Sequence, residues 1–231
     1  MRPMRRIGKG VAGGAWSLVV PLKPLARAKS RLAGATGDGL RPGLALAFAQ
    51  DTVAAALACS EVGDVVVVTD DPLAGAELTA LGARTVPDRP AGSGGVPADG
   101  LNAALAHGAR TARRVRPAAP VAALNADLPA LRPGELARVL AAASAFPRAF
   151  LADAAGVGTT FLSAAPGVEL EPVFGGPSRA RHRASGAVEI TLPGVDSVRR
   201  DVDTGEDLRT ALALGVGPRT AAVAAGLLIP E

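Results

Sequence analysis

The 231-residue chain has no tyrosine, one tryptophan, five phenylalanines, one cysteine and two histidines. Each scarcity closes off a class of function. Aromatics at 3% leave few stacking platforms for single-stranded nucleic acid, although a net charge of +4 and a pI near 10.2 would otherwise suit such a partner. A single cysteine forbids an internal disulfide and points to a reducing compartment. Cys59 follows the apolar stretch 54–58 and reads as a small packing residue, not a nucleophile. No uncharged apolar run approaches the roughly 20 residues that span a bilayer. The basic opening MRPMRRIGKGVAGGA lacks the apolar segment of a signal peptide. Also missing are a GxxxxGK[ST] phosphate loop, a GxGxxG after the first strand and a GxSxG nucleophile elbow. His107 and His182 stand singly, without the Cys/His spacing of a zinc site, and read as surface or packing residues. The expectation is a soluble cytoplasmic protein with no membrane or nucleic-acid partner. A disordered basic leader is expected over 1–15 and one domain over 16–231, with neither a repeat nor a dividing linker.

Lysine is scarce in a different way. Against 22 arginines there are three lysines, Lys9, Lys23 and Lys29, and the last two fall in one segment, KPLARAKSRL. With Arg27 and Arg31 they follow the strand-like run WSLVVP, where a buried strand should end. Arginine is a planar fork and lysine a compact, mobile point charge suited to a phosphate chain. An ordinary solvated face is the competing reading, and the placement after a strand argues against it.

Hydrophobic residues make up 48% of the chain, enough for a core built from Ala, Val and Leu. Strand and helix patterns alternate. Strands are expected over 16–21, 64–69, 84–86, 120–124, 148–152, 160–163 and 189–192. Helices are expected over 42–60, 72–81, 101–115, 132–145, 178–185 and 204–214, several opening on proline. Such alternation predicts an α/β fold with a mostly parallel sheet covered on both faces, and ligands beyond the carboxyl ends of its strands. After Asp153 the alternation loosens, as an inserted or antiparallel portion would make it.

Four constellations fall at strand ends or loops. The cationic segment is the first. The second is Asn125-Ala126-Asp127-Leu128-Pro129, with an acidic residue just past a buried strand, where Mg²⁺ bound to a nucleotide is usually held. Asp127 lies too early to cap the helix opening at Pro133. The third is RRDVDTGED, residues 199–207. In an extended chain Asp201 and Asp203 point to the same side, while Thr204 and Asp207 have the spacing of a capping box. The fourth pairs the turn Gly156-Val157-Gly158-Thr159-Thr160 with Phe174-Gly175-Gly176-Pro177-Ser178. Such Gly-rich turns bind oxyanions, although each half alone is a common turn.

Taken in order, VVPLKPLARAKSRL, GLNAALAHG, LNADLPAL, GVGTT, FGGPS…RHRASGAV and RRDVDTGEDL closely resemble the CofC/FbiD family over about residues 16–220. These are the 2-phospho-L-lactate or phosphoenolpyruvate guanylyltransferases of coenzyme F-420 biosynthesis. The resemblance implies a single-domain Rossmann-like nucleotidyltransferase of the glycosyltransferase-A type, using GTP and Mg²⁺ and open to forming a homodimer. It implies that Lys23, Arg27, Lys29 and Arg31 lie along the GTP phosphates, with Gly100 and Asn102 near the nucleotide. Asp127, Asp201 and Asp203 become the metal ligands, and Thr160, Gly175 and Ser178 hold the acceptor. Lys23, Lys29 and Asp127 carry the catalysis. The stretch 91–99 is longer and richer in glycine than the family pattern. Two other readings stay open from sequence: a sugar-1-phosphate or molybdopterin-type nucleotidyltransferase, and a basic nucleic-acid module using the arginines of 110–116 and 179–183.

Overall fold

A computed structural model describes residues 15–27, 40–88 and 100–226. Apart from Ala15, the expected leader over 1–15 lies outside them, as do Lys29, Arg31, the side chain of Arg27 and the stretch 91–99. The chain runs through β1 (Trp16–Pro21), a 3-10 turn (Leu25–Arg27), α1 (Arg41–Leu57), β2 (Val62–Val68), α2 (Pro72–Ala80) and β3 (Arg84–Val86). There follow α3 (Gly100–Val115), β4 (Val121–Leu124), α4 (Pro133–Ala143), β5 (Arg148–Ala152) and β6 (Thr159–Ala164). The last elements are α5 (Ser178–Ala184), β7 (Val188–Glu189), α6 (Asp196–Arg199), α7 (Gly205–Leu214) and α8 (Pro218–Ala225).

The valine runs form strands because both of their faces are covered. Leu18 and Val20 of β1, Val65 and Val67 of β2, and Ala122 and Leu124 of β4 pack on one side against Ala49 and Val53 of α1, Leu78 of α2 and Leu136 and Leu140 of α4. Val19, Val66, Val68, Val121 and Ala123 pack on the other side against Ala104, Leu105, Ala109 and Ala112 of α3. This is the period-two division expected of a sheet buried between helices.

Gly108 sets how closely α3 approaches. A Cβ there would stand 2.4 Å from Val19 Cγ1 and 2.7 Å from Val68 Cγ2, inside the contact range. In an exposed helix Gly→Ala is stabilising by about 1 kcal/mol. Here the sign should reverse. Gly108→Ala is expected to lower stability by about 1–3 kcal/mol through overpacking, read as a lower urea midpoint at an unchanged m-value.

Among the described residues the sheet has seven strands in the order β3-β2-β1-β4-β6-β5-β7. All neighbouring pairs are parallel except those made by β6, which runs antiparallel to both β4 and β5. The expected antiparallel departure after Asp153 is therefore this one strand. From β1 the chain builds outward through β2 and β3, then returns to lay β4 on the other side of β1. The order reverses between β1 and β4, and in open α/β sheets the crevice at such a reversal is where ligands bind.

Most expected boundaries hold to within one residue. α1 ends at Leu57, not at residue 60, because the chain turns through Ala58, with Cys59 N–H bonded to Ala56 O. The strand expected over 189–192 is Val188–Glu189, continued only by the Ile190 N–H to Phe150 O bond before Pro193 and Gly194 turn the chain away. Two helices went unread in the sequence. α6 is a single turn, and α8 is an Ala-rich segment whose start is fixed by a side chain 169 residues away.

Candidate active site

The cationic segment begins where β1 ends. Leu22 N–H bonds Val68 O, which ties the exit of β1 to that of β2. Lys23 and Pro24 are exposed, and the chain then enters the 3-10 turn. Asp71 holds that turn in place. Its Oδ2 accepts from Leu25 N–H at 2.9 Å and its Oδ1 from Ala74 N–H at 3.0 Å, so one carboxylate caps α2 and anchors the lysine-bearing turn. Burial would raise the Asp71 pKa, but the backbone N–H groups of Ala74, Leu25 and Leu73 outweigh it and hold the carboxyl below its usual range. An open groove of about 580 Å³, lined by Thr69, Asp70, Asp71, Thr85 and Pro87 among others, lies beside α2 at the exits of β2 and β3. It shares Asp71 with the cationic turn but sits to one side of the reversal point.

Across that point, β4 exits into the loop that carries Asp127. Asn125 N–H bonds Thr160 O at 3.0 Å, and Asp127 O accepts from Val202 N–H at 3.1 Å. The second bond joins two segments 75 residues apart, so the structure places Asp127 beside the stretch that holds Asp201 and Asp203. Val202 is fully buried, while Asp201 is half-buried and Asp203 exposed, as alternation about an inward valine requires. The capping box is also present. Thr204 Oγ1 accepts from Asp207 N–H at 3.2 Å, and Asp207 Oδ2 accepts from the N–H groups of Thr204 at 2.9 Å and Asp203 at 3.2 Å.

Among the described residues, no three His, Cys, Asp or Glu side chains converge as a ready-made cage. Hard carboxylate oxygens offered from two joined loops still suit Mg²⁺. That ion takes one or two carboxylates and completes its shell with phosphates and water.

The two Gly-rich segments meet on the far side of β4. Asp153 folds the first, accepting from Val157 N–H at 2.9 Å and Gly158 N–H at 2.7 Å. A Cβ at position 158 would lie 2.4 Å from Asp153 Oδ2, which fixes glycine there. Arg179 N–H bonds Val157 O, and its guanidinium bonds Gly156 O at 2.9 Å, so the turn is stitched to the start of α5. Gly175 takes φ +96 and Gly176 φ +47, two successive left-handed residues, a step that favours glycine. Ser178, 2% exposed, is the first residue of α5, and Thr160 is fully buried with no hydrogen-bond partner for its hydroxyl among the described residues.

Two side chains, Asn102 and His182, hold this second segment. The amide of Asn102 is paired with the Phe174 backbone, its Oδ1 accepting the N–H at 2.8 Å and its Nδ2 donating to the C=O at 3.2 Å. Asn102, expected near the nucleotide, links the first turn of α3 to the Phe174 loop; Gly100 opens the same helix and is exposed. His182, fully buried, accepts the Val173 N–H at Nε2 (3.1 Å), so Nδ1 carries the proton and faces Thr159 Oγ1 at 3.0 Å. Phe174 meets the imidazole edge-on with centroids 4.9 Å apart. Burial, with the like charges of Arg148 and Arg181, pushes the His182 pKa down to about 4.

Four of the seven arginines that suggested a nucleic-acid surface are engaged in bonds within the chain. Arg113 bonds Val168 O and Glu169, Arg116 bonds Asp64 and Ala15 O, and Arg179 and Arg183 share Glu189. Cys59 is buried and free, as its packing role predicts.

A cationic segment and a carboxylate loop on either side of a strand-order reversal, with paired Gly-rich turns beyond them, are the arrangement expected of a nucleotidyltransferase. Comparison with known proteins narrows the class. The family described as the MobA-like NTP transferase domain matches residues 47–187. The chain is 74% identical over 215 residues to the phosphoenolpyruvate guanylyltransferase of Streptomyces scabiei (strain 87.22), covering 93% of this chain and 98% of that protein. It is 64% identical over 210 residues to the enzyme of the same name from Thermomonospora curvata, covering 91% and 89%. A solved nucleotidyl transferase from Methanothermobacter (Mth528) superposes with a TM-score of 0.56 at 18% identity, over 87% of this chain and 98% of that one, and shows the shared fold. The chain belongs to the CofC/FbiD family of nucleotidyltransferases, built on a MobA-like NTP transferase domain.

Proposed function

We propose that this enzyme transfers GMP from GTP to the phosphate of phosphoenolpyruvate, or of 2-phospho-L-lactate, in the cytoplasmic synthesis of coenzyme F-420. The observation that carries the reading is the bond from Val202 N–H to Asp127 O. It puts the three carboxylates on adjoining backbone, across the reversal point from Lys23. An oxygen of the acceptor phosphate attacks the α-phosphorus of GTP in line. A new P–O–P bond forms, the α–β bridge breaks, and diphosphate leaves with its electron pair. A phosphate dianion is already nucleophilic at neutral pH, so no protein base or covalent intermediate is required.

Asp127, Asp201 and Asp203 are the residues that would hold Mg²⁺, which when bound supplies Lewis-acid neutralisation of the α-phosphate and the leaving oxygen. Lys23 and Lys29, with Arg27 and Arg31 on the same segment, meet the charge that grows on diphosphate. Gly100 and Asn102, at the start of α3, border the nucleotide. Thr160, Gly175 and Ser178 orient the acceptor. The Thr160 hydroxyl, without a partner among the described residues, and the left-handed backbone at Gly175 and Gly176 support that assignment. Orientation of this kind contributes up to about 7–11 kcal/mol in ideal systems.

The test is mass spectrometry of products after incubation with GTP, Mg²⁺ and each acceptor in turn. A guanosine-diphosphate ester of enolpyruvate or lactate, with one diphosphate per turnover, is the expected result. Failure to guanylylate either acceptor, together with transfer to a sugar 1-phosphate, would replace the reading with another nucleotidyltransferase.

A further inference from the structure

Helix α1 is largely apolar, yet in its interior it carries two adjacent buried polar residues, Asp51 at 4% and Thr52 at 0% exposure. Polar groups are buried at a cost unless they are bonded, and both of these are. A mid-helix threonine commonly turns its hydroxyl back to the carbonyl four residues earlier. The Thr52 bonds in this structure run elsewhere. Its Oγ1 donates to Ala126 O at 3.2 Å and accepts from Leu128 N–H at 3.0 Å. The two peptide groups it grips flank Asp127. Asp51 supports the same loop from further along. Its carboxylate accepts from Thr220 N–H at 2.7 Å and Arg219 N–H at 3.2 Å, capping α8, and a Cβ at position 217 would strike it. Gly217 N–H, placed by that cap, bonds Pro129 O at 2.9 Å. With Val202 N–H on Asp127 O, the backbone of the carboxylate loop is held before, at and after Asp127.

We propose that Thr52 is a positioning residue for the reaction: its hydroxyl fixes the direction in which the Asp127 carboxylate leaves the backbone, and thereby the affinity of the metal site. The proposal rests on the metal-dependent reading above. Groups that orient metal ligands in this way typically change metal affinity 10–100-fold when removed. Thr52 touches neither reactant nor ion, so its effect must appear in metal affinity and not in acceptor KM.

The test compares the full chain with T52V, which keeps the shape and loses the hydroxyl, and T52S, which keeps the hydroxyl. Mn²⁺ serves as a paramagnetic probe, titrated with and without GTP and read by electron paramagnetic resonance; circular dichroism checks the fold. T52V is expected to fold, to bind Mn²⁺ about tenfold or more weakly, and to need proportionately more Mg²⁺ for half-maximal turnover at an unchanged acceptor KM. T52S is expected to stay close to wild type. A folded T52V with wild-type Mn²⁺ affinity overturns the proposal. So does a T52S that falls as far as T52V, or a T52V that does not fold, since either assigns Thr52 to packing or stability. If the wild-type chain itself neither binds Mn²⁺ nor turns over with a divalent ion, the functional reading fails instead.

Discussion

Asp127→Asn is expected to lower kcat by about 10³-fold, equivalent to roughly 4 kcal/mol of barrier, while the chain stays folded. The substitution is nearly isosteric and removes one negative charge. The main-chain bonds that shape the loop, Asn125 N–H to Thr160 O and Val202 N–H to Asp127 O, do not involve the side chain and should survive. What is lost is the hard anionic donor on the β4 side of the reversal point. Neutralising the charge of two phosphorylated reactants is the main task of such a site, because phosphoryl transfer of this type needs little covalent help from the protein. Asp203→Asn should act in the same direction from the other loop. Turnover is read by diphosphate release at saturating GTP and Mg²⁺, and the fold by circular dichroism and melting temperature. Full activity in a folded Asp127→Asn chain would remove the metal role of this carboxylate.

That carboxylate was legible in the sequence for a local reason. Asp127 follows a four-residue apolar strand, and Asp201 and Asp203 alternate about one buried valine just before a capping box. Each signal lies within a few residues of the group it marks. The parallel core was legible on the same terms, since valine runs buried on both faces show in composition alone. Asn102, Thr52 and His182 were not legible in this way. A glycine-led GLN reads equally well as a ligand contact or as a strut, and only the fold reveals that the Asn102 amide meets Phe174, 72 residues on. Thr52 looks like one more helix residue until the loop 74 residues later closes on it. The α8 helix escaped for a similar reason: the cap that starts it, Asp51, is supplied from α1.

The acceptor side of the site should be the first part of the molecule to yield to acid, and His182 is the reason. In the folded chain its pKa is pushed down to about 4, from an ordinary value of 6.5. Above pH 6.5 both folded and unfolded chains hold it neutral, and it adds no pH dependence. As pH falls from 6.5 towards 4 the unfolded chain takes up a proton that the folded chain refuses, so stability is lost through that window. Below about 4 both forms are charged and the loss levels off. A shift of this size corresponds to about 3 kcal/mol. Asp71 and Glu189, whose pKa values are also lowered, lose their contributions at more acidic pH. Protonation would turn Nε2 from acceptor to donor and set it against the Val173 N–H it now receives. The Phe174 loop, with Gly175, Gly176 and Ser178, depends on that bond and on Asn102. The protection of the Val173 amide, with exchange corrected for its intrinsic pH dependence, should therefore fall between pH 6 and 4.5 before global unfolding begins. His182→Gln, which keeps a donor and an acceptor but cannot titrate, should flatten the decline in urea midpoint over the same interval, the carboxylate contributions cancelling in the comparison. An identical pH slope in the two proteins would show that the imidazole is not the group that makes this corner acid-sensitive.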